Sequence, residues 1–167
     1  MLESRMQTMQ QVNDIAHVDK ASTESSAARL LIWSASFDII KENYLAGVGT
    51  GDVKDVLMIK YKEKEMTGAY EHELNAHNQY LQTFIALGIV GFSVLLVNLM
   101  VPLLYSFKGK KYLYVFFLAL IIFNFMTESM LETQAGVIFY AFFNSLLLAS
   151  GNVFVEIKDK FDLSSNF

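Results

Sequence analysis

Ala76-His77-Asn78-Gln79-Tyr80-Leu81-Gln82 runs directly into Thr83-Phe84-Ile85-Ala86-Leu87-Gly88-Ile89-Val90-Gly91. The first segment is polar, and the second opens an almost unbroken hydrophobic region, so this junction divides the chain into two kinds of sequence. Residues 1–79 hold eight of the 13 Lys+Arg and twelve of the 17 Asp+Glu, which puts the whole formal charge of −4 in the first half. Beyond the junction, three apolar runs at about 80–107, 112–126 and 136–154 read as membrane helices. The middle run is short for a bilayer, and the first is long enough to tilt or to begin above the lipid.

Composition excludes several classes. No basic patch or stripe suited to nucleic acid is present. With no cysteine, there is neither a disulfide framework nor a thiolate metal site. Met1-Leu2-Glu3-Ser4-Arg5 lacks the basic-then-apolar pattern of a signal peptide. An external first half would then need an upstream transmembrane helix, and the expectation is the C-terminal part of a longer multi-spanning protein.

Charge also orients the spans. Lys108, Lys110 and Lys111 fill the turn between the first two, and Lys158 and Lys160 follow the third. Short basic loops stay in the cytoplasm, and an even number of crossings separates these two. Residues 1–79 are thereby expected as a periplasmic helical region, and 80–167 as the transmembrane helices with a short cytoplasmic tail. Glu128 and Glu132 fall in the outer loop between spans two and three, open to structural and functional readings alike. Asn98, Asn124 and Asn144 sit within or at the ends of spans, where helix–helix hydrogen bonds are the favoured reading.

In the first half, residues from Leu2 to about Ile15, including Arg5, form a weak helix. Ser25 or Ser26 supplies an N-cap. From Ala27 to about Glu42, Leu30, Trp33, Phe37 and Ile40 recur at helical spacing, and Leu31 and Ile32 widen the stripe. Gly47, Gly49 and Gly51 alternate through the following turn, permitting close backbone approach. Val53 to about Glu65 is an amphipathic helix with a solvated charged face.

Four constellations bear on chemistry. His72 and His77 are five apart, whereas a helical zinc motif needs two histidines four apart; no metal is expected. Glu73 and His77 are four apart and on one helical face could touch, the carboxylate fixing the imidazole tautomer and raising its basicity. Arg29 and Trp33, also four apart, admit two readings: a lipid-interface anchor, or an arginine fork for a phosphate. Gly88 and Gly91 would let another helix approach closely and lock the top of the first span.

These pieces resemble the O-antigen ligase family, which includes O-antigen polymerases and protein O-oligosaccharyltransferases. His77-Asn78 followed by nine residues and Gly88-x-x-Gly91 is similar to the ligase signature. Ser26-x-x-Arg29-Leu30-x-x-x-Trp33 is a second match. Glu42-Asn43-Tyr44-Leu45-Ala46-Gly47-Val48-Gly49-Thr50-Gly51 resembles the family's Glu-Asn-Pro-Leu-Leu-Gly-x-Gly-x-Gly-Asn stretch, with Tyr44 where proline is common and Asp52 where asparagine is common. Thr127-Glu128-Ser129-Met130-Leu131-Glu132 before a phenylalanine-rich span is the fourth.

The resemblance implies an all-α, GT-C-like polytopic membrane protein, here a fragment with three transmembrane helices and a helical periplasmic segment. It implies an inverting, metal-independent and cofactor-free transfer of a glycan from undecaprenyl diphosphate to an acceptor hydroxyl, on a lipid core or another glycan, at the periplasmic face of the bacterial inner membrane. His77 matches the family's essential histidine, which activates the acceptor hydroxyl. Arg29 matches an arginine holding the donor diphosphate, and Arg5 a second, with Glu73 and Asn78 as support for His77. Family members carry several times as many spans, so the isolated chain is expected to be inactive. A surface-polysaccharide polymerase and a non-catalytic membrane subunit that binds a partner through its outer segment stand as alternatives.

Overall fold

A computed structural model of the chain describes residues 26–164. Arg5, the weak helix before Ile15 and the cap position Ser25 lie outside the described residues. Among the described residues the protein is helical, with no strand: α1 (Ser26–Glu42), α2 (Val53–Glu63), the short α3 (Thr67–Glu71), α4 (Gln79–Lys108), α5 (Tyr112–Thr127), a 3-10 turn (Met130–Glu132) and α6 (Gln134–Ser164). Two compact units divide at Phe92/Ser93, inside α4.

The first unit has a core drawn from four helices. Ile32, Ala35, Ile39 and Ile40 of α1 meet Val53, Leu57 and Tyr61 of α2, with Met66, Ala69, Ala76, Leu81, Ile85 and Ala86 completing the cluster. The buried face of α1 follows the expected stripe in part: Ile32 and Ile40 are in the core, and Leu31 and Trp33 pack against it. Leu30 and Phe37 are exposed, whereas Ala28, Ile32, Ala35 and Ser36 are buried. The helix is apolar on nearly all sides, so periodicity could not choose a face; the small residues Ala28, Ala35 and Ser36 do, by letting neighbouring segments close in. Ser36 needs no outside partner, because its hydroxyl donates to the Ile32 carbonyl at 2.9 Å.

Ion pairs cover the rim of this core. Lys60 bridges Glu42 and Glu63 at 3.0 and 3.1 Å. Asp38 lies between Lys64 and Lys41, and the Lys64 ammonium holds its carboxyl below the usual carboxylate range.

The second unit is built differently. Leu99, Tyr114, Leu118, Ile121 and Phe125 are buried, and large apolar side chains such as Val94, Val97, Phe107, Leu113 and Phe123 are exposed, as on helices that face lipid or further helices. α5 and α6 meet through phenylalanines: Phe117 lies 6.2 Å from Phe139 and 6.1 Å from Phe143. Two of the three asparagines, Asn98 and Asn144, do tie helices together, as expected. Tyr140 donates to Asn98 Oδ1 at 2.7 Å, and Tyr114 to Asn144 Oδ1 at 2.6 Å. Glu128 and Glu132 are both exposed; Glu128 precedes the 3-10 turn and Glu132 ends it, so they do not share an α-helical face. That turn sits directly on α6: a Cβ at Gly136 would collide with the Met130 carbonyl.

α4, with 30 residues, is long and apolar enough to cross a membrane. The apolar helices Tyr112–Thr127 and Gln134–Ser150 are shorter than that criterion. By length and composition the described residues thus provide one candidate span, where three were expected. At a rise of about 1.5 Å per residue, α5 with its 16 residues falls short of a hydrocarbon core of ~30 Å.

Candidate functional site

α4 is not one continuous rod. Gly88 has φ 61 and ψ −160, a non-helical geometry that breaks the helix one-third of the way along. An unbroken helix would engage the carbonyls of Ile85 and Ala86 with the N–H groups four residues on. Here the 43–52 turn takes them instead. Val48 N–H donates to Ile85 O at 2.8 Å and Gly49 N–H to Ala86 O at 2.9 Å, while Ile89 N–H, freed by the break, donates to Tyr44 O at 2.9 Å. Every group named is satisfied by backbone, which matters where water is scarce.

Glycine makes the approach possible. At Gly47, with φ 71, a Cβ would lie 2.5 Å from the Ala86 carbonyl carbon. A Cβ at Gly88 would strike the Leu45 carbonyl, and one at Gly91 would strike the Leu87 side chain, folded back over it by the break. The Gly88/Gly91 pair therefore seats a turn and a kink rather than admitting a neighbouring helix. Of the three alternating glycines, Gly47 is packed, Gly49 is needed for its φ of 97, and a Cβ at Gly51 meets nothing within 4 Å.

The α4 N-terminus holds the other feature. Asn78 is its N-cap: Oδ1 accepts Tyr80 N–H at 3.0 Å and Leu81 N–H at 3.1 Å, two of the donors left open at a helix start. Immediately before it stands His77, in the left-handed region at φ 45. Such a conformation persists in a non-glycine residue when its surroundings impose it, and three hydrogen bonds and the burial of Ala76 do so. Asn75 Oδ1 accepts the His77 N–H at 2.9 Å. Gln82 Oε1 accepts the Ala76 N–H at 3.4 Å. The Trp33 indole N–H donates to the Ala76 carbonyl at 3.1 Å, across 43 residues of sequence. Ala76 itself is fully buried. The imidazole is half-buried, with Nδ1 shielded from solvent.

The expected partners of His77 fall out unevenly. Glu73 does not share a helical face with it: α3 ends at Glu71, and Glu73 has φ 49. The Glu73 carboxylate instead pairs with Lys54 of α2, clamping the segment that leads to His77. Asn78 adjoins His77 through the chain, its side chain committed to the cap. Trp33 turns into the protein rather than out to an interface, which removes the anchor reading for it. Arg29 lies half-buried one helical turn before Trp33, so the helix that carries it is the one that grips the His77 turn. Arg5 is outside the described residues. His72 is exposed, and no group of three or more metal-ligating side chains gathers among the described residues. Asn75, Gln82 and Lys54 are the residues that sequence reasoning missed; the Asn75-x-His77 spacing of an Asx turn was the available signal.

The described residues thus form a helical protein with one candidate membrane span and His77 just before its first turn. Residues 1–96 match the family model Wzy_C, O-antigen ligase. The chain belongs to this family. His77, Asn78, Arg29, Arg5 and the Gly88/Gly91 pair all lie inside the matched region. An uncharacterized protein of Haemophilus influenzae is 26% identical over 137 residues, covering 75% of this chain and 34% of that protein. The chain thus spans about a third of the length of the curated relative it matches. No solved structure matches.

Proposed function

We propose that the chain carries the acceptor-activating part of an O-antigen ligase-like glycosyltransferase, acting at the periplasmic face of the bacterial inner membrane. The observation that carries this reading is the His77 turn, held in a strained conformation by Trp33, Asn75, Asn78 and Gln82 at the head of α4. A positioned neutral imidazole is suited to general-base work near neutral pH. His77 takes the proton of the acceptor hydroxyl as that oxygen bonds to the anomeric carbon of the donor sugar. The bond from that carbon to the undecaprenyl diphosphate breaks, with inversion, and the diphosphate departs with the electron pair. Arg29 and Arg5 neutralise the leaving diphosphate.

Topology supports the placement. Lys108 at the end of α4, with Lys110 and Lys111 just beyond it, favours the cytoplasm, which supports an outer position for His77. In this reading α5 and the apolar part of α6 cross as well, the bilayer thinning locally to match the short α5, for three spans at about 80–107, 112–126 and 136–154 after a periplasmic region over 1–79.

His77→Ala in the intact protein tests the reading through the surface polysaccharide ladder on a gel. Loss of the ladder is expected, and an unchanged ladder sinks the proposal. The same gel separates transfer onto a lipid core from chain growth: a ligase defect leaves the core bare, whereas a polymerase defect leaves single repeats on it.

A further inference from the structure

α4 changes its surroundings at Gly88. Before the break, Leu81, Ile85 and Ala86 are buried in the core of the first unit, and Gln82 is buried beside them. Beyond it, Val90, Val94, Val97, Val101 and Leu104 are all exposed. The apolar run is therefore continuous for two different reasons: its first third fills a protein core, and the rest turns apolar side chains outward. Residues 89–108 measure about 30 Å at a rise of ~1.5 Å per residue, the thickness of a hydrocarbon core of ~30 Å. Lys108, a charged residue, closes them. The part of α4 that matches a bilayer thus begins at the break.

The 43–52 turn arrives at that same level, bonded to the backbone of Ile85, Ala86 and Ile89. Its tip, Tyr44-Leu45-Ala46, is exposed, with Leu45 at 72% and Tyr44 at 51%. A lone exposed leucine is ordinary. Here an apolar tip is fastened by backbone hydrogen bonds to a candidate span, where that span leaves the lipid. Residues 43–51 carry no charge, so no ionised group in the turn opposes entry into lipid. The Tyr44 ring lies 5.5 Å from Phe84, and Phe84 lies 5.0 Å from Phe92, an aromatic row across the break like the belts at membrane–water interfaces.

We propose that Tyr44-Leu45-Ala46 is a membrane-contact tip, with Leu45 among the upper acyl chains of the bilayer and the Tyr44 ring at headgroup level. The bilayer boundary then lies at Gly88, and the lipid-spanning part of α4 narrows to residues 89–108. Residues 79–87, ~13 Å of helix, stand on the water side, and His77 with them. The 43–52 turn thereby fixes the first unit against the membrane surface as well as against α4. This inference needs α4 to cross a bilayer and does not rest on glycan transfer.

Spin labelling tests it on the full chain in vesicles of phosphatidylethanolamine and phosphatidylglycerol. The chain has no cysteine, so a nitroxide on Leu45→Cys reports alone. Its collisions with oxygen, which concentrates in lipid, and with a water-soluble nickel chelate give its depth. Labels on Val94→Cys and Asp55→Cys, both at exposed positions, supply the lipid and water references. The oxygen-to-nickel collision ratio at position 45 should be several-fold above that at 55. A ratio equal to that at 55 overturns the proposal, and so does protection from both agents, which places protein over the tip. Leu45→Trp repeats the test without a label. Lipids brominated on their acyl chains should quench its emission well beyond that of the wild type, whose single tryptophan, Trp33, turns into the protein; equal quenching of the two overturns the contact. The label at 45 should report the same depth in a His77→Ala background, so failure of the catalytic reading is scored separately on the gel.

Discussion

The 43–52 turn and the 72–78 turn both engage the first part of α4, and they are held by opposite means. The earlier turn reaches Ile85, Ala86 and Ile89 through backbone alone, and glycines at 47 and 88 clear the space. The later one is held through side chains: Asn75, Asn78, Gln82 and Trp33 each contribute one group. A backbone contact has no adjustable part, so it fails abruptly when a methyl group is added. A set of side-chain contacts is redundant, and each loss should be graded. The rigid turn fixes where α4 breaks, and the tunable one fixes where His77 points.

The largest effect should come from breaking the backbone contact. Gly47→Ala places a Cβ 2.5 Å from Ala86 backbone at a φ of 71, combining ~1–2 kcal/mol for a left-handed L residue with ~1–3 kcal/mol of overpacking. The thermal midpoint in detergent should fall sharply. Gly51→Ala, in open space, should leave it unmoved; equal losses for the two would remove the distinction between them. Trp33→Phe comes next. It keeps the ring in the core but strands the buried Ala76 carbonyl, a loss of ~1–3 kcal/mol, and it should lower glycan transfer more than it lowers stability because it frees the His77 turn. Asn78→Ala removes a helix cap at a cost of ~1 kcal/mol, read by the same melting assay, with Asn78→Asp expected to retain most of the stability.

The smallest effect is electrostatic. Lys64 and Lys41 lower the folded-state pKa of Asp38, so this carboxylate stabilises the fold above its unfolded pKa, about 3.9. That contribution is lost as pH falls through the depressed folded value. Asp38→Asn should flatten the acid limb of the stability profile in this window and change nothing at pH 7 to 8 beyond a constant offset. A profile that keeps its full acid limb would assign the acid sensitivity to other carboxylates.

Much of this was legible in the sequence, and the misses have physical causes. The positions of α1, α2 and α4–α6 follow from apolar periodicity and run length, because these report burial directly. Which face of α1 is buried followed only in part: Ile32 and Ile40 are in the core, but Leu30 and Phe37, just as apolar, are not; the choice rests on the small size of Ala28 and Ala35. The break at Gly88 was hidden for a related reason. Hydropathy is blind to backbone direction, and only the partner turn at residues 44–49 makes the break tolerable. Glu73 and His77 were placed on one face by spacing alone, a rule that holds only inside a helix, and Glu73 lies beyond the end of α3. Trp33 looked like an interface anchor because its partner, the Ala76 carbonyl, is 43 residues away and carries no side-chain signature. The position of His77 at the polar-to-apolar junction did follow from the sequence, as did the Asn78 that caps the helix behind it.

The most direct test of the central claim is the rate of glycan transfer from undecaprenyl diphosphate by the purified intact protein and its His77→Gln variant, at saturating donor and acceptor. Loss of a general base predicts a fall of about 10²–10⁴-fold in kcat, with the melting temperature and donor affinity close to those of the wild type. A His77→Gln protein that transfers glycan at the wild-type rate would contradict the account.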